Sequence, residues 1–289
     1  MKRSSSITGL AACGLLSLAV PSFCAPASSG ALREAFYTQA TNHFQKAHFL
    51  KPGEPKEPEV SFTLAPLLIQ ETLGAESKPE NDLFGALDIT NGVLALDLAR
   101  PTVYAAVDTV PINRVARNRF TYLWCYSLRA SGGGTLSLQG VRITADAKGF
   151  PVIWEVLADP VGPVPVYVAR SVEDLAAKEY GQPLRGRRHA VESKTSRGHD
   201  VIVPRVLDDG PAPMGPILYL KTGSRAAASL ACRCMKPQAR SLLSTSEYHL
   251  VPLTLELKVL LAASFGGNGD FFPLESGELE KRLRLPAKF

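Results

Sequence analysis

Three cysteines, two adjacent aspartates, two histidines and a run of arginines are the residues here whose types and spacing invite chemistry. Cys232 and Cys234 lie two apart. On a strand that spacing puts both thiols on one face, with Arg233 on the other. Two thiolates so placed can grip a soft ion such as Cu(I) or run thiol chemistry. Either can also share a disulfide with Cys125. Zinc asks for two further Cys or His ligands at recognisable spacing, and none lies nearby in the sequence, so no metal is assigned.

Arg185, Arg187 and Arg188 fall within four positions and are followed by His189. Cations this dense repel one another unless something neutralises them. Guanidinium groups hold phosphate, sulfate or carboxylate through paired N–H donors, which makes this loop a candidate anion site. Local ion pairs with Glu192 and Asp200 are the alternative. Asp208 and Asp209 stand in the stiff stretch Leu207–Pro216. They can share a cation, act as an acid beside His189 or His249, or simply shape a turn. His43 and His48 are five apart, and five helical residues turn about 500°, so on a helix they do not share a face.

No G-x-S-x-G, S-x-x-K, H-E-x-x-H, Walker A or G-x-G-x-x-G occurs. No cofactor is expected on that ground. Catalysis by dispersed residues leaves no such local trace, so the enzyme question stays open at this level.

The elements that must position these groups begin after a distinctive N-terminus. Lys2 and Arg3 precede the apolar run Ile7–Val20, and small residues lead to Ala27. That pattern predicts a cleaved signal peptide over residues 1–27, hence export to the periplasm or the extracellular space. The run is shorter than the ~20 residues that span a bilayer, and no later stretch is longer, so no transmembrane segment is expected after cleavage. A lipobox at Leu10–Cys13 is the competing reading. The formal charge of +5 falls to +3 without Lys2 and Arg3, too little to suggest a nucleic-acid partner. Three cysteines then remain, an odd number for an oxidising compartment.

Leu32, Phe36, Ala40, Phe44 and Ala47 recur at helical spacing, which predicts an N-terminal helix within residues 28–50. A proline-rich connector follows over 51–59, and residues 60–289 read as a single β-rich domain. Strands are expected at Val60–Gln70, on both sides of Thr90–Gly92, at Val103–Val110, Arg119–Leu128, Thr135–Ala145, Phe150–Leu157 and Val164–Ala169. Pro111–Asn118 reads as irregular. On Arg119–Leu128, Phe120, Tyr122, Trp124 and Tyr126 share a face, a core ladder or a stacking platform. Asp146–Gly149 is a turn with glycine where φ must be positive. A helix is expected at 171–180, with Ser171 as its N-cap and Gly181 as its stop. Further strands follow at Asp200–Val206, Ile217–Lys221 and Ala227–Met235, then a short helix at Pro237–Ser244. Strand returns at Tyr248–Leu253 and continues to Val259 on alternating apolar residues, before a short C-terminal helix from Ser276. The fold class is α+β, mainly antiparallel sheet of about ten to twelve short strands.

The function these features point to is an exported, non-catalytic binding or structural protein of the cell envelope, with an anionic small molecule or acidic surface as partner. A secreted hydrolase with dispersed residues, or a soft-metal or thiol site at Cys232 and Cys234, are the alternatives.

Overall fold

The structure, a computed structural model, describes residues 34, 37–38, 44–55, 59–72, 82–90, 93–127, 136–157, 163–193, 200–233, 239–264 and 276–289. Strands β1 (Lys46–Pro52) and β2 (Leu67–Glu71) come first, then the hairpin β3 (Phe84–Thr90) and β4 (Val93–Asp97). A meander follows through β5 (Thr102–Ile112), β6 (Val115–Ser127), β7 (Leu136–Ala145), β8 (Pro151–Leu157) and β9 (Val164–Ala169). The remaining strands are β10 (Val201–Ile202), β11 (Val206–Leu207), β12 (Pro216–Leu220), β13 (Ala227–Cys232) and β14 (Ser241–Pro252). Helices are α1 (Val60–Thr63), α2 (Arg170–Tyr180), α3 (Leu255–Ser264) and α4 (Ser276–Arg282). Glu34, Tyr37 and Thr38 are helical as well.

All fourteen strands join one sheet, whose main path runs β10-β9-β8-β7-β6-β5-β14-β1-β2-β12-β13. The meander is antiparallel, its consecutive strands being joined by short connections. The expectation of a mainly antiparallel sheet fails elsewhere, and the sheet is mixed. β14 runs parallel to both β1 and β5, β2 to β12, and β9 to β10 and β11. These partners are far apart in the chain, and long connections permit parallel pairing that no local turn announces.

One core collects side chains from every strand except β4, including Leu50, Leu68, Phe84, Val103, Trp124, Val166, Leu218, Leu230 and Tyr248. A sheet that feeds one core from nearly all its strands is wrapped around it. Across that core Arg205, between β10 and β11, donates to the Leu230 carbonyl of β13, the strand at the other end of the path, at 3.1 Å. The aromatic ladder of β6 is part of this core: Phe120, Tyr122, Trp124 and Tyr126 all point inward. Leu123 and Cys125 point outward, into a second cluster with Leu138, Leu157, Leu253 and Leu261. Cover on both faces explains why β8 is buried along almost its whole length. Between β6 and β7 the strands approach so closely that a Cβ on Gly140 would lie 2.2 Å from the Tyr122 carbonyl oxygen.

Several local expectations are corrected. The predicted N-terminal helix does not reach residue 50, because Lys46–Pro52 is β1, paired with β14 and β2. Its Ala47 and Phe49 pack outward and its Leu50 inward, a period-two pattern hidden inside the helical one. Lys51 and Pro52, read as connector, complete that strand. Val60–Gln70 is a helical turn followed by β2 rather than one strand. Leu253–Val259 is not strand either: Thr254 Oγ1 accepts the Leu257 N–H at 3.2 Å and starts α3. Leu253, Leu257 and Leu261 pack inward at a spacing of four, leaving Leu255 76% and Val259 61% exposed. Ser241–Ser244, expected within a short helix, belongs to β14. Pro111–Asn118 is the tip of a long hairpin that turns on Asn113 and Arg114, both with positive φ (48° and 64°).

Other expectations stand. Thr90 pairs with Val93, the register of a two-residue turn, although Asn91 and Gly92 themselves lie outside the described residues. Gly149 turns β7 into β8 with φ of 86°. The helices at 170–180 and 276–282 lie where they were predicted. His43, the Ser131–Gly134 loop and Cys234 lie outside the described residues.

Candidate functional site

A cleft of about 1160 Å³ opens where β14 and β5 diverge. The floor is built by alternation. Even-numbered Tyr248 turns into the core, which places Glu247, His249 and Val251 on the opposite face. Thr102 and Tyr104 of β5 stand in register with His249 and Val251. One wall is Gly53–Pro55 with Glu59, Ser61 and Phe62 of the α1 region; the other includes Ala86 and Leu87 of β3, Arg100, and Lys258 of α3.

Each wall is pinned. The Tyr122 hydroxyl donates to the Ser61 carbonyl at 2.6 Å, and the Tyr248 hydroxyl to Pro66 at 2.7 Å. Burial raises the pKa of both phenols far above the usual tyrosine range, so they remain donors. On the other side the Leu87 N–H donates to the Tyr104 hydroxyl at 2.7 Å, fastening the β3–β4 hairpin where it peels away from β6.

The charges in the cleft are unevenly matched. Lys51 pairs with Glu247 at 3.0 Å. Arg100 is held by two carboxylates, Asp88 at 2.7 Å and Asp97 at 2.5 Å. Glu59 accepts the Ser61 hydroxyl at 2.9 Å and, like Glu54, has no basic partner among the described residues. The wall beside Glu247 therefore carries unpaired carboxylates, and Lys258 on the other wall is a cation with no ion pair among the described residues. Of the histidines singled out from sequence, His249 lies here, and neither His189 nor either aspartate lines the cleft.

The arginine loop is occupied by the chain's own carboxylates. Arg187, with a side chain only 3% exposed, pairs with Asp200 at 2.7 Å, faces Glu192 at 3.5 Å and donates to the Val201 carbonyl at 2.8 Å. Arg188 pairs with Glu34 at 2.7 Å and stacks 3.9 Å from the Tyr37 ring centroid. Arg185 is exposed. The centre of the loop is Glu192, fully buried, whose oxygens accept the backbone N–H groups of Arg188, His189 and Val203, each at 3.1 Å. The Tyr37 hydroxyl, 3.3 Å from both oxygens, is raised to about 12 by burial and by that carboxylate. Burial also lowers the His189 pKa. The repulsion among the arginines is thus relieved internally, by Glu192, Asp200 and Glu34.

Asp208 and Asp209 do not meet His189 or His249 in any hydrogen bond or ion pair among the described residues. Asp209 serves α2: its carboxylate accepts the Ser171 N–H at 3.0 Å and the Ser171 hydroxyl at 2.6 Å. The helix cap comes from a distant loop, not from Ser171 as its position suggests. Asp208 lies 3.5 Å from Arg170. Cys125 is buried among leucines and its thiol is pushed well above the ordinary range by desolvation. It forms no bond to Cys232, which lies at the end of β13.

Sequence reasoning offered Glu192 and Asp200 as local ion-pair partners of the arginines, and the structure pairs them so; it missed Glu34, Tyr37 and most of the cleft. His48 is another change of place: it is buried on β1, its Nδ1 hydrogen-bonded to the Ser244 hydroxyl. No helix among the described residues is long and apolar enough to cross a membrane. Comparison with protein-family models, curated proteins and solved structures finds no match to this chain.

Proposed function

We propose that this chain is an exported protein of the cell envelope that binds rather than transforms its ligand, and that the ligand sits in the cleft between β14 and β5. The observation that carries this reading is the cleft itself. It is large enough for a drug-sized or peptide ligand, lined by exposed apolar and charged groups together, and its walls are pinned by buried tyrosines. The arginine loop, the other candidate, spends its charges on Glu192, Asp200 and Glu34.

The signal-like N-terminus supports export. Intact native mass spectrometry on the chain exported to a bacterial periplasm tests both parts. The expected spectrum shows a mature chain beginning after Ala27 and a bound adduct that a cleft-filling Val251→Trp variant lacks. An adduct retained by Val251→Trp, or none at all, would overturn the cleft reading. A hydrolase is the second reading, favoured by His249 in the cleft; loss of a hydrolytic activity in His249→Gln would promote it.

A further inference from the structure

The cleft continues into a strand edge that no described strand pairs with. In an extended strand the N–H and C=O of one residue point to the same side, and successive residues alternate. The His249 N–H donates to Pro101 at 2.8 Å and the Leu253 N–H to Ala105 at 2.7 Å, so odd-numbered residues of β14 face β5. Thr245 and Glu247 continue that parity. Their backbone groups point to the same side, where β5 has not yet begun, because the chain turns at residues 98–100 before entering at Thr102. No described strand pairs with this edge of β14 N-terminal to His249. Thr245 and Glu247 are also solvent-exposed.

Natural sheets blunt such edges with lysine or proline. Ser241–Glu247 contains neither. The edge leads to Glu247, on whose side of the cleft Glu54 and Glu59 have no basic partner among the described residues, while Arg100 and Lys258 stand on the opposite wall. This is unexpected on a chain whose formal charge is +5. A strand added here would carry a basic side chain past that mouth.

Resting on the cleft as the binding site, we propose that this edge of β14 takes an extended segment of a partner polypeptide as an added strand, and that a lysine or arginine of that segment enters the cleft on the side of Glu54 and Glu59. Main-chain hydrogen bonds supply affinity in such strand addition, and the alternate side chains supply specificity.

The test selects displayed random peptides of about nine residues, a typical strand length, on the full chain and resynthesises the enriched ones. These should carry lysine or arginine and lose about tenfold in affinity on N-methylation of an amide that pairs with β14, one hydrogen bond's worth. Thr245→Pro, which removes the outward N–H and fixes φ at that position, should weaken them similarly, and Glu54→Gln with Glu59→Gln should weaken the basic peptides alone. Because N-methylation alters the peptide and not the protein, that arm holds even where Thr245→Pro folds poorly.

Peptides that bind, are blocked by Val251→Trp and ignore N-methylation would overturn strand addition while leaving the cleft reading intact. Failure to select any binder would overturn the proposal, the cleft then standing or falling on its mass spectrum. A dimer in sedimentation that Thr245→Pro dissociates would overturn it too, by showing that a second copy fills the edge.

Discussion

Glu192→Gln is the substitution that most directly tests how the arginine loop is held. Gln has the shape of Glu but replaces one acceptor oxygen with a donor. Oε1 accepts from Arg188 and His189, and Oε2 accepts from Val203 while lying 3.5 Å from the Arg187 Nη1. Whichever way the amide turns, an NH₂ group meets an N–H. The cheaper orientation sets it against Val203 and Arg187 and orphans one buried N–H, at about 1–3 kcal/mol. Removing one partner of a buried ion pair costs about 3–5 kcal/mol, but Arg187 keeps Asp200 at 2.7 Å, so only a part of that applies. A total near ~3 kcal/mol follows, or a fall in Tm of roughly 6–12 °C for a chain of this size. Thermal and urea unfolding followed by circular dichroism measure it. The comparator is Arg188→Ala, which loses a half-exposed ion pair and a stacking contact, together about 1 kcal/mol. Should Glu192→Gln cost no more than Arg188→Ala, the loop is not organised around that carboxylate and the reasoning is wrong.

Further outcomes are expected elsewhere. Gly140→Ala should lower the urea midpoint by an amount equivalent to at least ~3 kcal/mol, because the Cβ would meet backbone oxygen rather than a side chain that can move. The buried pair Arg142–Glu155, joined by bonds of 2.8 and 2.6 Å, should behave asymmetrically in a double-mutant cycle. Glu155→Leu alone should cost about 3–5 kcal/mol, and adding Arg142→Met should recover most of it. Two pH effects follow from opposite signs. Burial lowers the His189 pKa, so stability is complete above the ordinary 6.5 and falls as the pH drops below it, when the unfolded chain takes up a proton that the buried imidazole resists. His189→Asn should flatten that decline in unfolding measured across pH 4 to 7. Tyr37 is raised from 10.0 to about 12, so stability is lost between those values as the unfolded chain ionises first, and Tyr37→Phe should remove that loss.

The sequence by itself determined the strands of the meander and the inward face of β6. Alternation fixes which side chains of β6 share a face, and Gly149 fixes the turn, because both depend on neighbours within a few residues. Periodicity misled where two periods overlapped. Ala47 satisfies helical spacing from Phe44 as well as strand alternation with Phe49, and Leu253, Leu257 and Leu261 satisfy a helix although their neighbours alternate. Only burial against a particular partner chooses between such readings, and that partner is remote in the chain.

For the candidate sites the same division holds. The arginines were legible as a cluster needing neutralisation, with Glu192 and Asp200 as local partners; Glu34, which pairs with Arg188 from 154 residues away, was not. Asp209 looked like a turn residue and caps a helix that begins some forty positions earlier, a pairing set by the parallel contact of β11 with β9. The cleft was legible only as His249. It exists because β14 pairs with β1 along one half and with β5 along the other, and a gap between strands is a property of their pairing, not of the residues on either one.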